Sequence, residues 1–585
     1  METTTTDTAF RARVVEAAGR SVAAFLATHD DDAAALPHRA AMGRLLALAA
    51  VTTEPGSAFY AAGGNVAAAD VTGGAMRRCL DRLEQLQGPT GLFDGTNLCS
   101  PPDSAFTLND ACIALRIIRG LETPGEALTD AEARLGGIIS RATDALVSGG
   151  VHTPNHRWEL SAALARINAL QPRQDIADRI NEWLAEGIDQ LPDGMYSERS
   201  ALYASAVTNP SLLAIADHAG RPGLLDHVRR NLTAFLPWFN PDGTLESVFS
   251  RRQDQWMDFG AAPFLPLYRR MANQDANPDF AAAAAWLGTL PLHEPAKLLA
   301  VLRLDPWLQA GLPDEKAGAT APDSTLPVPL TPADAALEAC GAYRFRAAGS
   351  ATTVFGGCDS LVPGVVSGLA SNSTFLRFAH GAAVLSDVRL SRSFFDLGPF
   401  RSQHTVRNGA TVRLSEELSA NFYLPLPAAR RREDGVYALG HEGRFSASMD
   451  FPGRPTVVHR LGTEIAVRAE PGQTVLELDF DGADTAFALE LTFRPGGVLD
   501  GVVPASGTPG AFQLVQGAGS YRVGADTIEF GPGLPADPDT PPEYNPGENY
   551  RYLAGTNASA GVKVFITGRT AGSHRLVLRG NTGAP

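Results

Sequence analysis

Two hydrophobic periodicities divide the 585-residue chain, and no single layer of secondary structure accommodates both. From about residue 8 to 305, apolar residues recur at i, i+3, i+4 and i+7, the repeat of a helix with one buried face. Gly, Pro and Asp interrupt this pattern every 15–25 residues or so. Examples are Ala40–Val51, Ala75–Gln87, Thr107–Arg119, Asp130–Ser148, Trp158–Leu170, Ile176–Gln190, Pro210–Ala219, Gly223–Phe235 and Ala261–Ala272. About a dozen helices on short connections predict an α/α toroid, an incomplete α/α barrel of paired helices. No fixed-period repeat marks a solenoid. After Ala342 the chain changes to short alternating runs, among them TFLRFAH, TVLELDFD, AFALELTFR and HRLVLRG. These predict an antiparallel β-sandwich. Residues 311–335 carry Pro, Asp and Ala without periodicity and read as a linker. The expected organisation is therefore multidomain: a catalytic toroid over 1–310, the linker, and a β-sandwich over 336–585.

Apolar residues make up 44% and charged residues 19%, a globular composition. A net charge of −15 supplies no basic face for nucleic acid. No stretch has the length and apolarity of a membrane span. The N-terminal segment has helical spacing with charges between, so it reads as a first helix rather than a leader. That implies a cytoplasmic protein, or a secreted or periplasmic one whose leader has been removed. Cys79, Cys99, Cys112, Cys340 and Cys358 show no metal or redox spacing and read as free thiols.

Four connections in the helical half carry more than turn residues. They hold Asp94, Asn97 and Asp103; Asn155, His156, Arg157, Trp158 and Glu159; Asp193, Tyr196, Glu198, Arg199 and Tyr203; and Asp242, Arg251, Arg252, Gln253, Asp254 and Trp256. Singly, each has a plain explanation. Asp-Gly pairs make turns, Asp103 and Asn155 suit helix N-caps, and tyrosines are often half-buried. Together, on loops about two helices apart, they predict a common cleft with an amide, an imidazole, phenols and guanidiniums. Trp158, Trp238 and Trp256 are the candidate aromatic platforms. Such a set suits an anionic sugar.

The domain order and two short motifs resemble polysaccharide lyases of the heparinase II/III and oligo-alginate lyase type. In that group an Asn-His pair follows one helix, and a later Asp-Gly…Leu-His-Tyr-Ser segment carries the catalytic tyrosine. Asn155-His156-Arg157-Trp158 matches the first element. Asp193-Gly194 leading to Leu202-Tyr203-Ala204-Ser205 matches the second, with Leu in place of His before the tyrosine and Ala inserted after it. The resemblance implies catalysis by Asn155, His156 and Tyr203. Asp94, Asn97, Asp103, Arg157, Trp158, Tyr196, Glu198, Arg199, Arg251, Arg252, Gln253 and His404 are the candidate substrate contacts. The family's His-rich metal segment has no convincing counterpart here; Phe378-Ala-His380 and Gln403-His404 stand nearest, so no cofactor is expected and a structural divalent metal lacks support.

The residue types fit elimination. Asn155 and His156, with an arginine, would neutralise the uronate carboxylate and stabilise the developing enolate. Tyr203 would move the proton, aided by a cation such as Arg199. On opposite faces of the sugar, His156 would be the base and Tyr203 the acid. The competing reading is a glucuronidase or unsaturated glucuronyl hydrolase, with two carboxylates drawn from Asp94, Asp103, Asp193, Glu198 and Asp254. A third makes the sandwich a carbohydrate-binding module on a helical scaffold, which leaves the polar loops unexplained.

Overall fold

The computed structural model describes residues 6–28, 34–60, 66–93, 99–313, 333–347, 349–359, 372–547 and 558–583. Asp94 and Asn97 lie outside the described residues, as does 314–332 of the expected linker. The chain divides into two compact units, a helical one over 1–245 and 259–330, and a sheet unit over 246–258 and 331–585.

The helical unit contains α1 (Thr8–Ala27), α2 (His38–Thr52), α3 (Val66–Leu86), α4 (Pro101–Arg119), α5 (Glu126–Ser148), α6 (Pro154–Leu170), α7 (Gln174–Ala185), α8 (Ala201–Tyr203), α9 (Asn209–His218), α10 (Leu225–Phe235), α11 (Leu265–Asp275), α12 (Pro278–Thr289), α13 (Pro295–Leu304) and α14 (Pro306–Gln309). The N-terminal segment is the helix α1, with Asp7 as its cap. Helices α2, α4, α6 and α9 pack successively on one another, while α3, α5, α7 and α10 each pack behind one of them. Composition explains the two rows. The inner α4 buries residues on every face, including Leu108, Ala111, Ile113, Leu115 and Ile118. The outer α7 buries only Ile176 and Ile180. A helix apolar all round needs neighbours on all sides, whereas one with a single stripe covers a flank.

The expected helix Ile176–Gln190 ends at Ala185. Gly187 takes φ +80°, and Gln190 instead bridges Tyr196 across a tight turn. Among the described residues that turn occurs three times, as Pro89-Thr90-Gly91, Pro192-Asp193-Gly194 and Pro241-Asp242-Gly243, closed by the bridges Gln87–Phe93, Gln190–Tyr196 and Phe239–Leu245. Gln87 clasps the first by donating to the carbonyls of Gly91 and Ile138, and Gln190 clasps the second through those of Gly194 and His227. Each glycine has positive φ, which a side chain strains. Their spacing is uneven, which is why no fixed period appears in the sequence.

In the sheet unit, a nine-stranded sheet runs, in order across, through Val503–Pro504, Ala511–Gln513, Val562–Arg569, Ala486–Phe493, Ala383–Arg392, Leu376–His380, Ser350–Phe355, Ala342–Ala347 and Ala335–Leu337. An eight-stranded sheet includes Gln473–Gly482, Thr456–Glu470 and Thr411–Tyr423. Leu376, Leu390, Leu489 and Phe493 of the first share one core with Leu414, Ile465, Leu476 and Leu578 of the second, which makes a sandwich. Among the described strands pairing is antiparallel except where Ala511–Gln513 joins Val562–Arg569 in parallel. The longest of these strands is Thr456–Glu470, fifteen residues.

The five cysteines are free thiols, with Cys79, Cys112 and Cys340 buried and Cys99 exposed. Burial pushes the Cys79 thiol up to about 11 and Cys112 up to about 12. No described helix is long and apolar enough to cross a membrane.

Candidate active site

The first turns of the inner helices carry the candidate chemistry. His38 and Arg39 open α2, Asp103 is the third residue of α4, Asn155 and His156 are the second and third of α6, and Tyr203 is the third of α8. Successive chain reversals return alternate helices to the same end, and contacts tie these turns together. The imidazole of His38 meets Thr107 Oγ1 at 2.7 Å and Asp103 Oδ2 at 3.2 Å. Arg39 donates to the other oxygen of Asp103. Phe106 of α4 meets His156 of α6 edge-on at 6.3 Å, and one turn deeper Asn109 donates to Glu159 at 2.7 Å, so α4 and α6 run parallel. Asp189 then links the start of α6 to the approach to α8. It accepts from Arg157 at 3.1 Å, from Trp158 at 2.9 Å, and from the Ser197 hydroxyl.

Two of these N-termini lack a side-chain cap. Pro37 precedes α2, and Thr153 precedes α6 with its hydroxyl donating to Asn155 Oδ1 at 2.6 Å instead. Neither Asp103 nor Asn155 is a cap; Ser100 and Thr153 hold those positions. Asn155 is 2% exposed, and its Nδ2 is buried with no acceptor among the described residues. A buried amide donor left unpaired costs about 1–3 kcal/mol, so it marks a place for a ligand acceptor or an ordered water. Helix N-termini carry partial positive charge, and the two uncapped ones, of α2 and α6, favour an anion.

Local strain surrounds Tyr203. Arg199, buried, has φ +53°, a conformation uncommon outside glycine. Ser200 caps the following turn by accepting from the Tyr203 amide at 3.1 Å. Residues Ala204–Thr208 then form a π-turn, in which the Asn209 amide reaches back to the Ala204 carbonyl. Pro210 explains it: lacking an N–H, it cannot continue the i→i−4 ladder. Such turns concentrate at functional sites.

Several sequence candidates have structural work instead. Trp158 and Trp238 are fully buried and are core residues rather than platforms, while Trp256 stays 37% exposed in the sheet unit. Tyr196 is buried, and its hydroxyl donates to Asn209 Oδ1 at 2.7 Å. Burial, with Asp189 adding to it, pushes that phenol well above its usual range. Arg157 spends its guanidinium on Glu186 and Asp189 and lies over the Trp158 ring. Glu198 is buried beside Arg199. Arg251, Arg252, Gln253 and Asp254 belong to the sheet unit, where Asp359 grips Arg251 through both carboxylate oxygens and Ser250 donates to Asp254. His404 is exposed at the start of the strand His404–Asn408.

The sequence reading missed His38, Arg39, Phe106 and His152. The exposed His152 packs its ring edge-on to His156 at 4.6 Å. No motif flags these residues; aligning the first turns of alternate helices brings out His38 and Arg39, while Phe106 lies in the second turn of α4 and His152 just before α6. Burial alone would raise the Asp103 carboxyl, but the His38 hydrogen bond and the Arg39 charge hold it below the usual range. Among the described residues no group of three His, Cys, Asp or Glu side chains is arranged to hold a metal. His380, one of the nearest counterparts of the metal segment, has both ring nitrogens against hydroxyls, of Ser350 and Thr582, and does not fit a metal.

No protein-family model and no curated protein matches the sequence. Solved structures do. Heparinase III aligns with a TM-score of 0.52 at 11% identity, over 94% of this chain and 77% of that one. A mutant heparan sulfate lyase from Pedobacter heparinus aligns with a TM-score of 0.46 at 11% identity, over 94% of this chain and 76% of that one. The chain has the fold of heparinase III, helical first and antiparallel-rich sheets second.

Proposed function

We propose that the chain is a polysaccharide lyase that cleaves a uronic-acid-containing glycan by β-elimination. The observation that carries this reading is the buried, unpaired Asn155 amide among converging helix N-termini. In the reaction a base removes the proton beside the carboxylate, the C4–O4 bond breaks, and its oxygen leaves with a proton. The electron pair stays as a C4–C5 double bond, and no water is added. The obstacle is charge, because the carboxylate must accept more negative density as the enolate forms. Asn155 Nδ2 and the α6 N-terminus supply donors that need no reorganisation at that moment, with His156 beside them. Tyr203, half-buried at the first turn of α8, carries the proton. Tyr196 is the poorer candidate, since its phenol is buried and committed to Asn209.

The heparinase III fold supports the reaction class. The hydrolase reading draws less support. It needs one carboxyl kept protonated opposite an ionised partner, whereas Asp103 is held ionised by His38 and Arg39, and Asp193 serves its turn by accepting from the Met195 amide. The test is incubation with heparan sulfate, chondroitin, hyaluronan, alginate and pectate oligomers, followed by ultraviolet absorbance of the unsaturated uronate. Absorbance rising in step with new reducing ends supports elimination; reducing ends without absorbance mean hydrolysis.

A further inference from the structure

We propose that Arg39 is a substrate-contacting residue that reads the anionic group of the sugar; this rests on the reading that the ligand is an acidic glycan. Arg39 is the second residue of α2, in the same row of first turns as Asp103, Asn155 and Tyr203. Its guanidinium lies 3.8 Å over the Phe106 ring, and Phe106 meets His156 edge-on at 6.3 Å. The guanidinium is therefore no farther from that imidazole than these two distances laid end to end, a span a disaccharide bridges.

Exposure separates Arg39 from the other arginine at these first turns. The Arg39 side chain is 46% exposed, while Arg157 is 14% exposed and held by two carboxylates. Asp103 takes one N–H of Arg39, and no acceptor among the described residues takes the rest. Asp103 is in turn fixed by His38, itself fixed by Thr107, so the chain of contacts sets the guanidinium plane from below. Phe106 supports one face by cation–π contact. The result is a planar fork, oriented in advance, with free donors toward solvent. That geometry takes a carboxylate or a sulfate through two parallel hydrogen bonds.

The test compares the parent, Arg39→Lys and Arg39→Ala by calorimetry with sulfated and unsulfated glucuronate hexasaccharides, and by steady-state kinetics on whichever the parent cleaves. Arg39→Ala is expected to weaken binding and raise KM at least tenfold with kcat within threefold, and Arg39→Lys to restore part of the loss. Loss on both probes identifies the carboxylate as the group read; loss confined to the sulfated probe identifies the sulfate. Parental binding by Arg39→Ala, or equal loss in Lys and Ala variants with a lowered melting temperature, overturns the proposal. A parent that binds without eliminating overturns the lyase reading while the Arg39 comparison proceeds. A parent that binds neither probe, nor alginate or pectate oligomers, overturns the acidic-glycan reading and this inference with it.

Discussion

Asp103 is the residue on which the architecture of the site turns. One carboxylate, 6% exposed, joins the first turns of α2 and α4 and holds both His38 and Arg39. Hydrogen bonds to a buried charged group contribute about 1.5–3 kcal/mol, so Asp103→Asn is expected to cost about 2 kcal/mol in urea unfolding at pH 7. The sign of the pH dependence follows from the lowered pKa. The ionised form is favoured in the folded chain, so its contribution is fully present above the unfolded carboxyl's pKa of about 4 and is lost as pH falls through the lower folded value. The gap between parent and variant should close on acidification; a gap that widens would show that the carboxylate is not stabilised as described. In the sequence, Asp103 was visible as a polar residue before a helix, and its role as a cap was the natural reading. Its partners were not visible, because His38 and Arg39 are 65 and 64 residues away in the chain.

At the level of elements, two of the three described Pro-x-Gly turns precede the polar segments that open α4 and α8, while the third precedes 246–258. The turns differ in what a methyl group would strike. A Cβ at Gly91 would come 1.9 Å from the Arg141 carbonyl oxygen, and at Gly194 2.7 Å from that of Arg230. At Gly243 it would meet only the Leu290 side chain at 3.1 Å. Backbone cannot yield as a leucine terminus can. Alanine substitution should therefore destabilise in the order Gly91, Gly194, Gly243, by about 3, 2 and 1 kcal/mol in urea unfolding. Equal costs at the three sites would show that the shared positive φ, and not the neighbouring backbone, sets the penalty. The helices themselves were legible because the 3.6-residue repeat survives in both rows, although their ends were not. The expected helix to Gln190 overran because Ile188 and Leu191 continue an apolar spacing that Gly187 and the turn override. Trp158 and Tyr196 read as site residues because sequence shows polarity and aromaticity; burial comes from tertiary packing.

For the whole molecule, the change from helical to alternating periodicity marked the passage from helices to sandwich, and the heparinase III fold has the same order. What the linear pattern hid is the grouping of 246–258 with the sheet unit, through ion pairs such as Arg377 to Glu246 at 2.6 Å and Arg251 to Asp359. Such pairing joins residues more than a hundred positions apart and leaves no local trace. The −15 charge gave no hint of an anion site either. In the proposed function the attraction comes from helix N-termini, one buried amide and Arg39, local features that net charge does not count. The most direct test of the central claim is the elimination rate of the Tyr203→Phe variant on the glycan the parent cleaves, with binding measured alongside. Proton transfer by Tyr203 predicts a fall of at least about a hundredfold with glycan affinity kept; elimination at the parental rate would rule Tyr203 out as the proton carrier.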